Sequence, residues 1–198
     1  MIIALTGGTG YIGRHLVSSL LNNGHHVRLL TRNSNIEYSN NLVPYEGDLR
    51  NLQSLNFFTK NVDILFHCAA EIRNPRKMYQ INVEGTSNLI EAARGNIRRW
   101  VQLSSVGVYG KYQFGNIIET SDLNPVNDYE KSKAQSDFLV QRAAASGYFE
   151  CTLLRPSTVF SSDMPSTFLL QLVSMIKKNF FFILVNLVHQ LIISMLKM

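Results

Sequence analysis

Two serines, a tyrosine and a lysine set the chemistry to be explained. Ser104 and Ser105 close a short strand-like run that begins at Trp100, and Tyr129 and Lys133 stand four residues apart at the start of a helical segment. A spacing of four stacks two side chains on one helical face. An ammonium at 133 is therefore expected beside the phenol at 129, lowering its pKa from an unperturbed value of about 10. Such a phenol can exchange a proton with an alcohol or a ketone. Ser105, from the facing strand end, is expected to hydrogen-bond and orient the same oxygen. A Tyr and a Lys at this spacing also describe an ordinary exposed face, so the rest of the chain must decide.

The deciding feature is Thr6-Gly7-Gly8-Thr9-Gly10-Tyr11-Ile12-Gly13, which follows the apolar run Ile2 to Thr6 and opens a helix. In that context Gly7 allows the tight turn, Gly10 lets backbone N–H groups approach a pyrophosphate, and Gly13 lets the helix pack on the strand. A dinucleotide is the expected cofactor. The second strand ends at Thr31-Arg32, where an NAD site would carry an acid for the ribose hydroxyls. With that acid missing, Arg32 is expected to pair with a 2′-phosphate, favouring NADP slightly over NAD. Asp48, with Leu49 beside it, is a candidate for the adenine amino group or else a helix N-cap. Ala69 and Ala70 are small enough to let backbone lie against the nicotinamide half. His67 reads as a packed strand-end residue. It has no second ligand at metal spacing, so no metal is expected.

The elements that must position these residues alternate short β-branched runs with helical segments, the pattern of βαβ units around a parallel sheet. Six strands are expected: Ile2 to Thr6, His26 to Thr31, Val43 to Glu46, Asp63 to His67, Trp100 to Ser104 and Glu150 to Arg155. Four helices are expected: Tyr11 to Asn22, Leu52 to Phe58, Met78 to Arg94 and Asp128 to Ala145. Gly24, Gly95 and Gly147 stand where three of them should end. The fold class is doubly wound α/β, Rossmann-type. Residues 1–156 are expected to form the cofactor-binding domain with the catalytic residues, and 157–198 a reduced substrate region.

Composition agrees with a globule. Of 198 residues 45% are apolar and 17% charged, which excludes a disordered chain. The formal charge of +5 is diffuse. The basic cluster Arg94, Arg98 and Arg99 reads as a solvated helix end, so nucleic acid is not expected, whereas an anionic small ligand is compatible. Two distant cysteines, Cys68 and Cys151, are expected to be buried free thiols. With an N-terminus that reads as a strand, this makes the expected address cytoplasmic.

The chain resembles the extended branch of the short-chain dehydrogenase/reductases, the nucleotide-sugar epimerase/dehydratase family. Besides the glycine turn, the matching stretches are Gly47-Asp48-Leu49, His67 to Ala70, Asn82 to Thr86, Leu103 to Gly110, Tyr129 to Lys133 and Leu154-Arg155-Pro156. The resemblance implies that Ser105, Tyr129 and Lys133 are the catalytic set and that Asn82 supports the network around the site. It also implies a nucleoside-diphosphate sugar as substrate, with a homodimer as a further expected partnership. Val106 and Gly107 stand where the family's dehydratases carry an Asp-Glu pair, so elimination is disfavoured. Epimerisation, a plain ketoreductase on a sugar or non-sugar substrate, and a dinucleotide-binding remnant without turnover stay open.

The run Phe180 to Leu196 is apolar but carries Asn186, His189, Gln190 and Ser194. It is shorter than the roughly twenty apolar residues a membrane helix needs. Spanning is not expected. The resemblance is expected to fade near Ile183, with an unrelated terminus beyond, as a truncation or frameshift would produce.

Overall fold

The computed structural model describes residues 1–32, 39–111, 116–160, 171 and 173–175. The chain divides at Phe160, and nearly all of the described residues belong to the compact unit Met1–Val159. That unit is built on a six-stranded parallel sheet of β1 (Ile2–Thr6), β2 (His26–Thr31), β3 (Leu42–Glu46), β4 (Val62–His67), β5 (Ile97–Leu103) and β6 (Glu150–Leu154), in the order β3-β2-β1-β4-β5-β6. This is a Rossmann-type doubly wound sheet, and its order reverses between β1 and β4. The apolar tail beyond residue 175 lies outside the described residues. Among the described residues no helix is long and apolar enough to cross a membrane.

β1 is buried along nearly its whole length because helices cover both faces of the sheet. On one face Leu5, Val27 and Leu29 pack against Leu16, Val17, Leu20 and Leu21 of α1 (Tyr11–Asn22). On the other, Trp100 is fully buried and stacks on Phe149 with ring centroids 5.2 Å apart. Leu65, Leu89 and Val140 complete that core, the last from α5 (Asp128–Ala145). A capping box starts α5: Asn127 Oδ1 accepts from the Glu130 N–H, and Glu130 accepts from the Asn127 N–H in return. Gly24, Gly95 and Gly147 all have positive φ and stand where the expected helices end.

Several sequence-based boundaries are corrected. β5 begins at Ile97, so Arg98 and Arg99 lie on a strand and not at a solvated helix end. Arg99 is paired with Glu150 across β5 and β6, and Arg94 packs over the Tyr148 ring at 4.6 Å. The helix expected from Leu52 to Phe58 is a tight 3₁₀ turn, Leu52–Leu55, running into α2 (Asn56–Thr59). The helix expected from Met78 starts earlier. α3 (Pro75–Met78) passes through a widened π turn, Tyr79–Glu84, into α4 (Gly85–Ala93). The Asn82 carbonyl lies in that widened turn and accepts from the hydroxyls of both Thr86 and Ser136. Cys68 and Cys151 are free, as expected, but only partly buried.

His67 ties the sheet to α4 through a directed chain of hydrogen bonds. Thr86 Oγ1 donates to the Asn82 carbonyl at 2.6 Å, so its oxygen accepts from His67 Nε2–H at 3.0 Å. Nδ1 is then the acceptor for the Thr6 hydroxyl at 2.6 Å. The imidazole is therefore a packed neutral residue, with both nitrogens engaged. Burial, and after it the charge of Lys133, pushes its pKa from 6.5 down to about 3.

The unfolded chain binds this proton below pH 6.5 while the folded chain refuses it until about pH 3, so stability must fall with pH across that window. The slope from this one group should approach about 1.4 kcal/mol per pH unit. Urea unfolding at stepped pH should show it, and His67→Gln should flatten the curve. An equally steep curve in that variant would refute the assignment.

Candidate active site

The glycine turn sits at the carboxyl edge of the sheet, beside the reversal in strand order. Gly7 has φ of +72°, and a Cβ there would lie 2.5 Å from the Ala69 backbone nitrogen. Only glycine satisfies both conditions. A Cβ on Gly13 would lie 2.2 Å from the Gly7 carbonyl oxygen, so α1 is seated directly on the turn. Gly10 is the N-cap residue and offers no side-chain cap to the start of α1.

Two cavities meet at this turn, sharing Gly7, Gly10, Cys68 and Ala70. The first runs over the ends of β2 and β3 and is lined by Arg32, Asp48, Leu49 and Ala69 as well. The second runs over the ends of β4 and β5. It is lined by Tyr11, Ile12, Gly13, Ser105, Tyr129 and Lys133, with Pro156. Sequence positions spread over more than a hundred residues thus open onto one continuous edge.

Asn82 lines neither cavity. Its amide is occupied in positioning: Oδ1 accepts from the Glu71 N–H at 2.7 Å, and Nδ2 donates to the Glu71 carbonyl and to Ser132 Oγ. It thereby ties the segment after β4 to α5, next to Lys133. Asp48 is not a helix N-cap, because Asn51 caps the 3₁₀ turn by accepting from the Gln53 N–H. Both Asp48 carboxylate oxygens are instead taken by the Arg50 guanidinium, whose hydrogen bond is the main reason the carboxyl is held down at about 2.

Ser105 caps the 3₁₀ turn Val106–Tyr109, its Oγ accepting from the Gly107 N–H at 3.1 Å. The hydroxyl proton remains available to a substrate oxygen. Tyr129 is half-buried and Lys133 is only 3% exposed. The expected lowering of the phenol pKa is corrected. Burial pushes Tyr129 up, and the negative charge of Asp137 adds to it. Burial pushes Lys133 down, so the ammonium is itself destabilised where it was expected to stabilise a phenolate.

Over residues 3–186 the sequence matches the model of the NAD dependent epimerase/dehydratase family. The chain belongs to that family. The match extends slightly past Ile183. A ketoreductase of Stigmatella aurantiaca that acts on 4-hydroxy-2-methyl-3-oxo-4-farnesyl-3,4-dihydroquinoline-1-oxide is 31% identical, over 89% of this chain and 55% of its own length. The UDP-glucose 4-epimerase of Vibrio cholerae is 29% identical, over 87% and 56%. Among solved structures, MoeE5 in complex with UDP-glucuronic acid and NAD is 29% identical with a TM-score of 0.76, covering 88% of this chain and 61% of that one. The chain spans about half the length of the curated relatives it matches.

Within this epimerase/dehydratase frame, sequence reasoning missed Asp137. It is fully buried on α5, accepting from Ser104 Oγ at 2.8 Å and from Arg155 Nε at 3.1 Å. An acid one turn after Lys133, on the same face, was the available signal. Gly13→Ala should force the turn from its seat, lowering the thermal midpoint and weakening dinucleotide binding roughly tenfold or more, or about 1.4 kcal/mol. Fluorescence titration with reduced nicotinamide dinucleotide measures this. Unchanged affinity would show that the close packing of α1 on the turn is dispensable.

Proposed function

We propose that this chain carries the cofactor and proton-transfer machinery for oxidation and reduction at a hydroxyl-bearing carbon of a nucleoside-diphosphate sugar. The observation that carries the reading is the single edge onto which the glycine turn, Ser105, Tyr129 and Lys133 all open. The residues fit a dinucleotide: a cradle at Gly7 and Gly10 that a Cβ would obstruct or narrow, with the N-terminus of α1 directly behind it. When bound, a nicotinamide ring supplies acceptance and return of hydride at the substrate carbon. Tyr129 exchanges the proton of the substrate hydroxyl, Ser105 donates a hydrogen bond to the same oxygen, and Lys133 supplies positive charge beside the phenol. In this reading residues 1–156 bear the chemistry and 157–198 contribute to substrate binding.

Epimerisation needs two such transfers to opposite faces and ketoreduction needs one. The names of the relatives support both, a UDP-glucose 4-epimerase on one side and a ketoreductase on the other. Elimination is disfavoured because Val106 and Gly107, which follow Ser105, bring no carboxylate. A Cβ on Gly107 would stand only 3.0 Å from Cγ of Glu130, whose carboxylate closes the capping box.

Tyr129→Phe should bind dinucleotide as the unsubstituted protein does and lower turnover of a nucleotide-sugar panel by roughly a hundredfold or more. With the phenol pushed up by burial, oxidation of a hydroxyl should accelerate as pH rises, because the base form is then more populated. Full activity in Tyr129→Phe would reject the assignment.

Cofactor choice turns on the end of β2. Thr31 brings no acid to the ribose, and Arg32 lines the adenine-side cavity close enough to Asp48 to lower its pKa. These two features support a slight preference for NADP, with Arg32 meeting the 2′-phosphate. Arg32→Ala should shift the NADP to NAD affinity ratio toward NAD, measured by titrating both reduced cofactors. An unchanged ratio would remove Arg32 from cofactor selection.

A further inference from the structure

The buried face of α5 is polar: Ser132, Lys133, Ser136 and Asp137 are each at most 3% exposed. Asp137 is the deepest charge among them, and its Oδ2 accepts from both Ser104 and Arg155. Its Oδ1 is also buried and receives no hydrogen bond from the described residues. A carboxylate at this depth is costly unless cations face it. Two do. Arg155 arrives from beyond β6, held in place over the Tyr109 ring and donating to Tyr109 Oη at 2.7 Å. Lys133 stands one turn earlier on α5 and senses the Asp137 charge. The other titratable groups that face this pair are Tyr129 on α5, His67 on β4, Cys68 after β4 and Cys151 on β6.

We propose that Asp137 is a positioning residue and the buried counter-charge of the site. It keeps Lys133 an ammonium at a depth that favours the neutral amine, and it fastens the Ser104-Ser105 strand end to the helix carrying Tyr129. The assignment rests on the reading of Ser105, Tyr129 and Lys133 given above. Its logic is a charge balance: burial pushes the Asp137 carboxyl up, and the Ser104 hydrogen bond with the charges of Lys133 and Arg155 opposes that shift and favours the carboxylate. Without Asp137 the buried Lys133 would lack the negative charge that opposes its desolvation, and it would lose its proton more readily.

The test is a ¹³Cε titration of Lys133 in the full chain, with the resonance assigned by Lys133→Arg. In Asp137→Asn the Lys133 midpoint should drop by about one pH unit or more, and Asp137→Glu should restore most of it. A folded Asp137→Asn protein with an unmoved midpoint would overturn the proposal. Should that variant fail to fold, the unsubstituted protein still decides. The Asp137 ¹³Cγ shift must report a carboxylate at pH 7, and a neutral carboxyl there overturns the proposal equally. Titrating each sample with reduced dinucleotide separates the two readings. A Lys133 shift in a chain that binds no dinucleotide upholds Asp137 and removes the proposed function. Dinucleotide binding with an unmoved Lys133 does the reverse.

Discussion

The close approach of the Gly7 turn to the backbone leaving β4 is the contact from which the site hangs. Thr6 secures it from both sides: its carbonyl accepts from the Cys68 N–H at 3.2 Å and its hydroxyl from the Ala69 N–H at 3.3 Å. With no side chain on Gly7 to hold the two strand ends apart, the edge becomes one groove where the strand order reverses. The adenine-side residues lie to one side of this point and Ser105, Tyr129 and Lys133 to the other. A Cβ at Gly7 would part them, because the atoms it would meet are backbone and cannot rotate away.

That closeness carries an electrostatic consequence. Polar groups brought together under the groove are shielded from water, so each must find its partner inside the protein. The chain from Thr6 through His67 and Thr86 to Asn82 does this for the β1 and β4 ends. Asp137, Ser104 and Arg155 do it for the β5 and β6 ends. The two networks come close on α5, where Ser132, bonded to Asn82, adjoins Lys133. The same burial that makes these networks rigid pushes the phenol of Tyr129 up and the amine of Lys133 down. The charge of Asp137 bears on both.

The relatives clarify which part of this arrangement is general. Much the same stretch of this chain aligns with a UDP-glucose 4-epimerase and with a ketoreductase acting on a farnesylated quinoline oxide. A sugar nucleotide and a prenylated heterocycle share no shape, so similarity over this stretch does not by itself select a substrate.

Periodicity and local turn chemistry were enough to locate all six strands, the limits of α1 and α5 and the glycine turn, because each depends on neighbours within a few residues. Most cavity-lining residues were legible for the same reason: apart from Tyr129 and Lys133 on α5 they lie at or just after strand ends, and a parallel sheet places all such ends on one edge. What the tertiary structure alone decided depends on contacts between distant residues. Asn82 was expected in the network around the site, but its partners there, Glu71 and Ser132, lie on other elements and only the fold identifies them. Arg98 and Arg99 joined a strand through pairing with β4 and β6. The spacing of Tyr129 and Lys133 correctly placed both on one face, but spacing contains no measure of depth. The burial of that face reversed the expected shift of the phenol and enclosed Asp137, unremarked in the sequence, between Ser104 and Arg155.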